Sequence, residues 1–311
     1  DTRRFSLLQI IKCYVKFRPD IVHHVAAKPV LLGQLAAYFT KTPIVINAMA
    51  GMGFLYMAKS RKVLLFRKIF EMIVRHLNQK KVRRIIVQNE DDQVIFLNIG
   101  IPKEEIQLVP GSGVNCSTFK SMPEPNGPIT AVCVSRLLKN KGIHELVEAA
   151  KILRRCGSSV RIRIVGQTDK NPTSICEDII RQWKNEGLVE ITGYSSDTAD
   201  EYARAHIAVL PSHREGFPKS LLEAAACARP IVTTDVPGCR SICLNGINGL
   251  LVPAFDPLEI ANAIMKLSEN TELRLQLGMA GRKLVLDKFS DKIINLKMIN
   301  LYAETLTIND Q

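Results

Sequence analysis

Several features that would assign this chain to a specialised class of protein are missing from its sequence. Its 311 residues contain no apolar run near the roughly 20 residues that a transmembrane helix needs. The eight cysteines form no Cys-x-x-Cys pair, and no histidine lies at metal-ligand spacing. The opening residues DTRRFSLLQI show no signal-peptide pattern. These absences predict a cytosolic globular protein with reduced thiols.

Aromatic residues are scarce, at 6% of the chain, and no RNA- or DNA-binding motif is present. The sequence is nevertheless basic, with a net charge of +12, and the excess is uneven. Residues 1–120 hold 19 Lys and Arg against 8 Asp and Glu, whereas the remainder holds 23 against 22. One basic half predicts that this half faces an anionic partner, which we expect not to be nucleic acid.

Strand and helix patterns alternate along both halves of the chain. Near-continuous apolar strands such as PDIVHHVA and ITAVCVS are separated by helical patterns, which is typical of a parallel sheet covered on both faces. The proline-rich stretch KSMPEPNGP divides the halves. We therefore predict an α/β domain at 1–120, a linker at 121–128 and a second α/β domain at 129–285. No strand with a glycine-rich turn precedes Pro19, so we expect the first domain to lack its first strand or strands.

The stretch HREGFPKSLLEAAACARP places Glu215 and Glu223 eight positions apart in an otherwise apolar segment. Pro218 suits a first helical turn, and the exposed N–H groups of a helix start attract an anion. Two carboxylates beside an anion site would suit a nucleotide sugar, which offers a diphosphate and hydroxyl groups. Taken alone, the stretch also fits a solvated loop glutamate and a Glu223–lysine pair. The expected donor-binding residues here are Gly216, Phe217, Pro218, Lys219, Ser220 and Leu221.

A second basic site lies in the stretch VSRLLKNKGIHELVEA. Arg136 and Lys141 follow a predicted strand and precede a helix, where a diphosphate would lie at the carboxyl edge of a sheet. Arginine offers a forked donor and lysine a point charge, a common pair for phosphate oxygens. In isolation the two could equally be surface cations in a loop. Gly166 and the Gly193–Tyr194 pair end two further strands, as many turn glycines do.

These stretches together closely resemble the E-x7-E signature and the R-x4-KG clamp of family-4 glycosyltransferases. The resemblance covers essentially the whole chain and is strongest from Val132 to Pro253. It implies the GT-B fold, an α/β architecture of two Rossmann-like domains facing across a cleft. It also implies that a helix within residues 286–311 crosses back to the N-terminal domain.

The resemblance assigns roles to the motif residues. It implies that Glu215 meets the donor sugar, Glu223 meets the ribose, and Arg136 and Lys141 bind the diphosphate. It further implies that Gly166, Gly193 and Tyr194 lie in nucleotide-facing loops. We therefore expect a retaining glycosyltransferase that uses a UDP-linked sugar, with Arg136, Lys141 and Glu215 as its catalytic residues. No Asp-x-Asp site in the needed setting appears, so we expect neither an obligatory metal nor any other cofactor.

The first half, from FRPDIVHHVA to INAMAGMGF, resembles relatives that build bacterial surface glycans on polyprenyl-diphosphate lipids. A lipid-linked glycan is therefore the expected acceptor. Many of those relatives carry a histidine in a T-x-HG stretch, where this chain reads INAMAGMG, and that difference puts an imidazole role there in doubt. The acceptor-side candidates are His23, His24, Lys28 and Gly51, although a lone histidine is more often structural.

The positive charge of the first half is concentrated between Lys59 and Arg84. This stretch contains ten Lys and Arg and one acid, Glu71. Apolar residues recur at helical spacing and predict a helix that packs one stripe on its own sheet. We expect the cations to meet anionic lipid headgroups at the inner face of the plasma membrane. The predicted stripe comprises Val63, Phe66, Ile69, Phe70, Ile73, Val74 and Leu77.

Two hypotheses from other classes remain open at this point. The chain could be a non-catalytic subunit that binds a sugar or nucleotide on the same fold, which the missing histidine and the incomplete first domain would suit. It could also be a basic protein that binds nucleic acid, since phosphates attract its cations.

Overall fold

The computed structural model describes residues 6–49, 52, 56, 60–76 and 82–309. The chain divides into two compact units. The first comprises Asp1–Gly111 and Asn295–Gln311, and the second comprises Ser112–Ile294. None of the helices in the described ranges combines the length and the apolarity that a membrane span requires.

The first unit is built on a four-stranded parallel sheet in the order β1-β2-β3-β4. Its strands are β1 (Ile21–Val25), β2 (Ile44–Met49), β3 (Val82–Val87) and β4 (Ile106–Leu108). The helices that alternate with them are α1 (Leu7–Phe17), α2 (Ala27–Thr40), α3 (Arg61–His76) and α4 (Glu90–Asn98). Strand β2 is buried along most of its length, which explains its continuous apolar sequence.

The second unit contains a six-stranded parallel sheet in the order β10-β9-β8-β5-β6-β7. Its first three strands in chain order are β5 (Thr130–Val134), β6 (Arg161–Val165) and β7 (Glu190–Gly193). The others are β8 (Ile207–Leu210), β9 (Ile231–Thr234) and β10 (Gly249–Val252). All neighbouring strands are parallel.

Helices alternate with these strands and continue beyond the last of them. Five of them are α5 (Ile143–Arg155), α6 (Glu177–Glu186), α7 (Thr198–Ala203), α8 (Lys219–Ala226) and α9 (Pro257–Ser268). They are followed by α10 (Thr271–Leu284), a π-helical turn at Val285–Phe289 and α11 (Asp291–Asn309). The prediction of two parallel α/β sheets therefore agrees with the structure.

The strand order of the second unit fixes where a ligand can bind. The chain runs from β5 outward to β7 on one side and then from β8 outward to β10 on the other. Strands β5 and β8 are adjacent, so the direction of winding reverses between them. In open parallel sheets, ligands bind outside the carboxyl ends of the strands at such a switch point. The loops after β5 and β8 are therefore the expected walls of a site.

The stretch expected to be a linker, 121–128, lies within the second unit, which begins before it at Ser112. Two buried arginines, one in the loop after α8 and one on α10, hold the segment in place. Arg229 donates to the carbonyl oxygens of Met122 and Pro123 at 3.0 and 2.9 Å, and Arg274 forms a double hydrogen bond with Glu124 at 2.8 and 2.9 Å. The segment supplies the hydrogen-bond acceptors that these buried guanidinium groups need. Its prolines therefore belong to a segment that is bound to the rest of the second unit.

Candidate active site

The loops after β5 and β8 touch through their backbones. Gly142, which begins α5, has a φ of +70°, and a Cβ at this position would lie 1.9 Å from the carbonyl oxygen of Pro211. The amide of His213 donates to the carbonyl oxygen of Asn140 at 3.0 Å. Only glycine tolerates both the left-handed conformation and this close approach. Gly142, the glycine of the KG pair in the sequence motif, is thus required to bring the two loops together.

This contact places Lys141 beside Glu215. The Lys141 Nζ lies 2.5 Å from Glu215 Oε1, and the Ser212 hydroxyl donates to the same oxygen at 2.6 Å. The side chains of Lys141 and Glu215 are 18% and 11% exposed, so the ion pair is largely shielded from water. In the described part of the chain the second carboxylate oxygen, Oε2, has no hydrogen-bond partner. An additional hydroxyl group could therefore bind there.

The turn after β9 supports the backbone of the same loop. Gly238 has a φ of +81°, and a Cβ there would lie 2.5 Å from the carbonyl oxygen of Gly216 and 2.7 Å from that of Glu215. The amide of Glu215 donates to the carbonyl oxygen of Pro237 at 3.2 Å. Glu215 is therefore fixed by its backbone as well as by its carboxylate.

Helix α8 begins at this loop without a side-chain cap. Pro218, which is buried, occupies the N-cap position, and its carbonyl oxygen accepts the amide of Leu221 at 3.1 Å. Among the described residues the amides of Lys219 and Ser220 donate to no acceptor, so two N–H groups remain for an anion. This corrects the expectation for Leu221, whose N–H is already used. Gly216 and Phe217 precede the helix and are partly buried, and the Phe217 ring packs edge-on against Phe289.

Glu223 lies on α8 and is buried among apolar neighbours. Burial raises the pKa of its carboxyl group, while the cation of Lys219 and a hydrogen bond from the Thr198 hydroxyl at 3.4 Å partly oppose that rise. A carboxylate with so few donors around it can accept hydrogen bonds from the paired hydroxyls of a ribose ring. The structure thus places the carboxyl group of Glu223 on a buried helix face, as its apolar surroundings in the sequence indicated.

Arg136 follows β5 but makes a different contact from Lys141. Its side chain is 59% exposed, and its Nη1 lies 2.8 Å from Asp169 Oδ2 in the loop after β6. The structure therefore joins Lys141 to Glu215 directly, and Arg136 to neither. All three nevertheless stand at the carboxyl edge of the same sheet, in loops that follow adjacent strands.

The glycines that end β6 and β7 lie at this edge as well. The Gly166 amide donates to the carbonyl oxygen of Gly193 at 2.7 Å, and a Cβ on Gly166 would lie 1.8 Å from the carbonyl oxygen of Ser135. Gly166 is therefore required for packing against the residue that precedes Arg136. Gly193, with a φ of +85°, has open space beside it, and Tyr194 is exposed.

Sequence reasoning missed a group of residues that brace the site. His213 Nε2 lies 3.1 Å from an oxygen of Glu145 on the first turn of α5, and its ring lies 3.9 Å from that of Phe255. This contact ties the loop after β8 to the helix that follows Lys141. The position of His213 two residues before Glu215 indicated that it lies near the site, but the sequence did not indicate which residues it contacts. Asp169, Thr198 and Ser212 were missed for the same reason.

The second unit matches the family model described as "Glycosyl transferases group 1" over residues 117–284, which is more than half of the chain. The chain belongs to the group 1 glycosyltransferases. A second model, "Glycosyl transferase 4-like", matches residues 2–89. The capsular polysaccharide biosynthesis glycosyltransferase CapM of Staphylococcus aureus is 30% identical, over 96% of this chain and 80% of CapM.

A second relative is the N,N'-diacetylbacillosaminyl-diphospho-undecaprenol alpha-1,3-N-acetylgalactosaminyltransferase of Campylobacter jejuni. It is 28% identical over 97% of this chain and 81% of its own length. The structure of HepE from Anabaena in complex with UDP-glucose superimposes with a TM-score of 0.81 at 18% identity, over 96% of this chain and 82% of HepE. The predicted family, the GT-B fold and the enzyme class are thereby confirmed, whereas the roles of individual residues remain predictions.

The acceptor-side candidates of this glycosyltransferase lie in its first unit. His24 is only 6% exposed, and its ring nitrogens lie 2.8 Å from the Tyr14 hydroxyl and 2.7 Å from Asn47 Oδ1. Asn47 in turn donates to Gln34 at 2.6 Å. Because both ring nitrogens are engaged inside the unit, His24 is corrected from an acceptor contact to part of a buried polar network.

The other candidates differ in accessibility. His23 is exposed on β1, with its Nδ1 2.6 Å from the hydroxyl of Tyr302 on α11. Lys28 is exposed in the first turn of α2. Gly51 lies outside the described residues. In the described ranges, no group of three or more His, Cys, Asp or Glu is placed to hold a metal ion.

Proposed function

We propose that this glycosyltransferase moves a sugar from a UDP-sugar, with retention of configuration, to a polyprenyl-diphosphate-linked glycan in bacterial surface polysaccharide synthesis. One observation carries the donor part of the proposal. The shielded Lys141–Glu215 pair stands at the switch point of the sheet, next to an uncapped helix start and the buried Glu223. A cation, two free N–H groups and two carboxylates match the diphosphate, hexose and ribose of such a donor.

The charges fit the chemistry of the leaving group. When the glycosidic bond breaks, negative charge develops on the diphosphate that departs. Lys141, Arg136 and the amides of Lys219 and Ser220 are donors that could stabilise this charge, and fixed donors of this kind usually supply the largest catalytic contribution. Glu215 would orient Lys141 through Oε1 and accept a sugar hydroxyl through Oε2.

The relatives support the choice of substrates. The name of the Campylobacter enzyme describes transfer of an N-acetylhexosamine to a sugar on diphospho-undecaprenol, and CapM acts in capsule synthesis. We extend these properties to the present chain as hexosyl or N-acetylhexosaminyl transfer to a lipid-linked acceptor. Exposed Lys28 and His23 are the remaining acceptor-side residues of the proposal.

A donor screen tests this function. UDP- and GDP-linked hexoses and N-acetylhexosamines are offered with a polyprenyl-diphosphate-linked acceptor, and release of the nucleotide is measured. We expect acceptor-dependent release from at least one UDP-sugar and a product that keeps the anomeric configuration of the donor. Release from GDP-sugars alone would refute the UDP assignment, and inversion would refute the mechanism.

We further propose that α3 docks the protein on an anionic membrane. The predicted apolar stripe is only partly buried, because Phe70 and Val74 are buried whereas Phe66 and Ile69 are exposed. Four large apolar side chains are thus exposed on this helix, namely Leu65, Phe66, Ile69 and Met72. Exposed cations share the helix surface with them, namely Arg61, Lys62, Lys68 and Arg75. A helix with both features can lie in the headgroup region, where the apolar groups insert and the cations bind anionic lipid.

Not every cation of the predicted basic stretch can take part. Arg83 is buried in a salt bridge with Glu105, and Arg67 pairs with Glu71 at 3.5 Å. Lys59 lies outside the described residues. Because Arg83 and Arg67 are paired, the docking proposal is based on the exposed cations and apolar side chains of α3.

Vesicle sedimentation tests the docking surface. Reversal of three cations, in R61E/K62E/K68E, should weaken binding to anionic vesicles more than about 100-fold, since each cation contributes about 1 kcal/mol near such a surface. The matched control K184E/K266E/K288E changes the same charge on exposed helix and π-turn positions of the second unit. Equal losses in both variants, or binding that ignores lipid charge, would contradict the assignment.

A further inference from the structure

The exposed ion pair between Arg136 and Asp169 has no place in the family motif. Asp169 lies in the loop after β6, in the stretch GQTDKNPTS, and its Oδ2 receives Arg136 Nη1 at 2.8 Å. Its other oxygen, Oδ1, accepts the amide of Asn171 at 2.9 Å and the hydroxyl of Ser174 at 3.1 Å. One oxygen is therefore anchored in the loop while the other holds the arginine.

The loop that carries Asp169 is itself fixed to the loop that carries Arg136. The amide of Leu137 donates to Gln167 at 3.1 Å, and the amide of Lys139 donates to Thr173 at 2.9 Å. The amide of Ile175 donates back to Leu137 at 2.9 Å. Three backbone hydrogen bonds thus set the distance between the two loops, so Asp169 stands at a fixed place beside Arg136.

The ion pair is poorly suited to a role in folding. Its side chains are 59% and 35% exposed, and exposed pairs of this kind contribute little to stability. The hydrogen bond from the Asn171 amide, helped by Arg136 and Ser174, lowers the pKa of Asp169 and keeps it ionised at neutral pH. A permanent anion next to a diphosphate site also repels the ligand. Orientation of the Arg136 side chain would compensate for this repulsion.

We propose that Asp169 is a positioning residue that holds the Arg136 guanidinium in its phosphate-binding orientation before the donor arrives; this inference rests on the proposed function of Arg136. An exposed arginine otherwise samples many rotamers, and ordering them costs free energy in each turnover. Asp169 engages one terminal nitrogen. The planar guanidinium has five N–H donors, so the Nε–Nη2 edge is left to meet two phosphate oxygens as a fork.

A double-mutant cycle tests this inference. The wild type, Asp169→Ala, Arg136→Ala and the double variant are compared by turnover, by UDP affinity and by melting temperature. We expect Asp169→Ala to lower kcat about three- to tenfold, as partial loss of rotamer restraint predicts. UDP affinity should stay within about twofold, because the lost restraint is balanced by the lost repulsion of an exposed charge. The melting temperature should fall only slightly, because the hydrogen bonds lost from Asn171 and Ser174 lie in an exposed loop.

The Arg136→Ala background distinguishes an effect of Asp169 on the orientation of Arg136 from an effect on the structure of the loop. If Asp169 acts through Arg136, the loss of kcat disappears when Arg136 is already alanine, and Asp169→Asn, which keeps an acceptor oxygen, recovers part of the rate. As a matched control, Asp178→Ala removes the acid of an exposed ion pair with Arg181 on α6 and should leave kcat unchanged. If Asp169→Ala still lowers kcat in the Arg136→Ala background, or if Asp169→Ala has full activity, the positioning role of Asp169 is overturned while the proposed function of Arg136 stands. Normal activity of Arg136→Ala would instead overturn the role of Arg136 and the inference with it.

Discussion

Replacement of Lys141 by alanine should lower both catalysis and stability, and a second substitution at Glu215 should separate the two effects. The ammonium group is the most shielded cation of the proposed diphosphate site, at 2.5 Å from Glu215. Loss of one fixed donor to a developing anion costs about 2.7–4 kcal/mol of transition-state stabilisation. We therefore expect Lys141→Ala to lower kcat about 10²- to 10³-fold.

The same change leaves Glu215 without its partner. Breaking a buried ion pair destabilises a protein by about 3–5 kcal/mol, and the residual exposure of these side chains places the expected loss at or below the lower limit. Adding Glu215→Gln to Lys141→Ala removes the unpaired charge. The double variant should recover most of the stability measured by chemical denaturation, but none of the activity measured by nucleotide release.

A neighbouring lysine provides the control. Lys139 lies in the same 3₁₀ turn as Lys141, is exposed, and makes no ion pair in the described part of the chain. Lys139→Ala removes the same charge within one turn of backbone and should keep near-normal kcat. The reasoning is refuted if Lys141→Ala retains near-normal turnover, or if Glu215→Gln restores its activity together with its stability.

Two further predictions concern the glutamates. Glu223→Ala should weaken UDP binding in calorimetry, whereas Glu215→Ala should leave it nearly intact and lower turnover; equal losses of UDP affinity would contradict the division. Because burial raises the pKa of Glu223, the unliganded protein loses stability as pH rises from the unfolded pKa to the folded one. Glu223→Gln should therefore raise the melting temperature at neutral pH. We also expect the UDP affinity of the wild type to fall as the pH drops through the folded pKa of Glu223, and Glu223→Gln to abolish that pH dependence. An unchanged melting temperature together with an unchanged pH profile would count against a buried carboxylate at this position.

The motif-bearing loops could be predicted from the sequence because each is short and follows a strand of obvious apolar character. The spacing of Glu215 and Glu223 reflects a loop and the first turns of α8, and Pro218 correctly marked the start of that helix. The glycine after Lys141 was part of the motif, and its left-handed conformation explains why no other residue stands there. Local chemistry was sufficient for these features.

Contacts between distant residues were beyond such reasoning. His24 and Asn47 each look unremarkable in their strands, and only the parallel register of β1 and β2 sets them side by side. Arg229 and Arg274 capture the segment around Glu124 from more than 100 positions away, so a proline-rich stretch that reads as a linker is bound. Which residues contact each other depends on how distant segments pack in the folded chain, and local sequence patterns do not reveal this.

The prediction that the apolar stripe of α3 packs on its own sheet was only partly correct, for a different reason. A spacing of three and four residues identifies a face, but it does not say how wide the contact beneath that face is. Phe70 and Val74 are buried, while Phe66 and Ile69, predicted for the same stripe, are exposed. The apolar stripe is wider than the surface that covers it. The exposed members of the stripe, Phe66 and Ile69, belong to the docking surface that we propose.

The central claim is that the site at the carboxyl ends of β5 and β8 binds the diphosphate of the donor, and calorimetry with UDP and uridine tests it most directly. Both ligands carry the ribose and the base, so their difference in affinity reports the diphosphate alone. We predict that the wild type binds UDP far more tightly than uridine, and that Arg136→Ala/Lys141→Ala binds the two almost equally. A preference for UDP that survives intact in the double variant would contradict the claim.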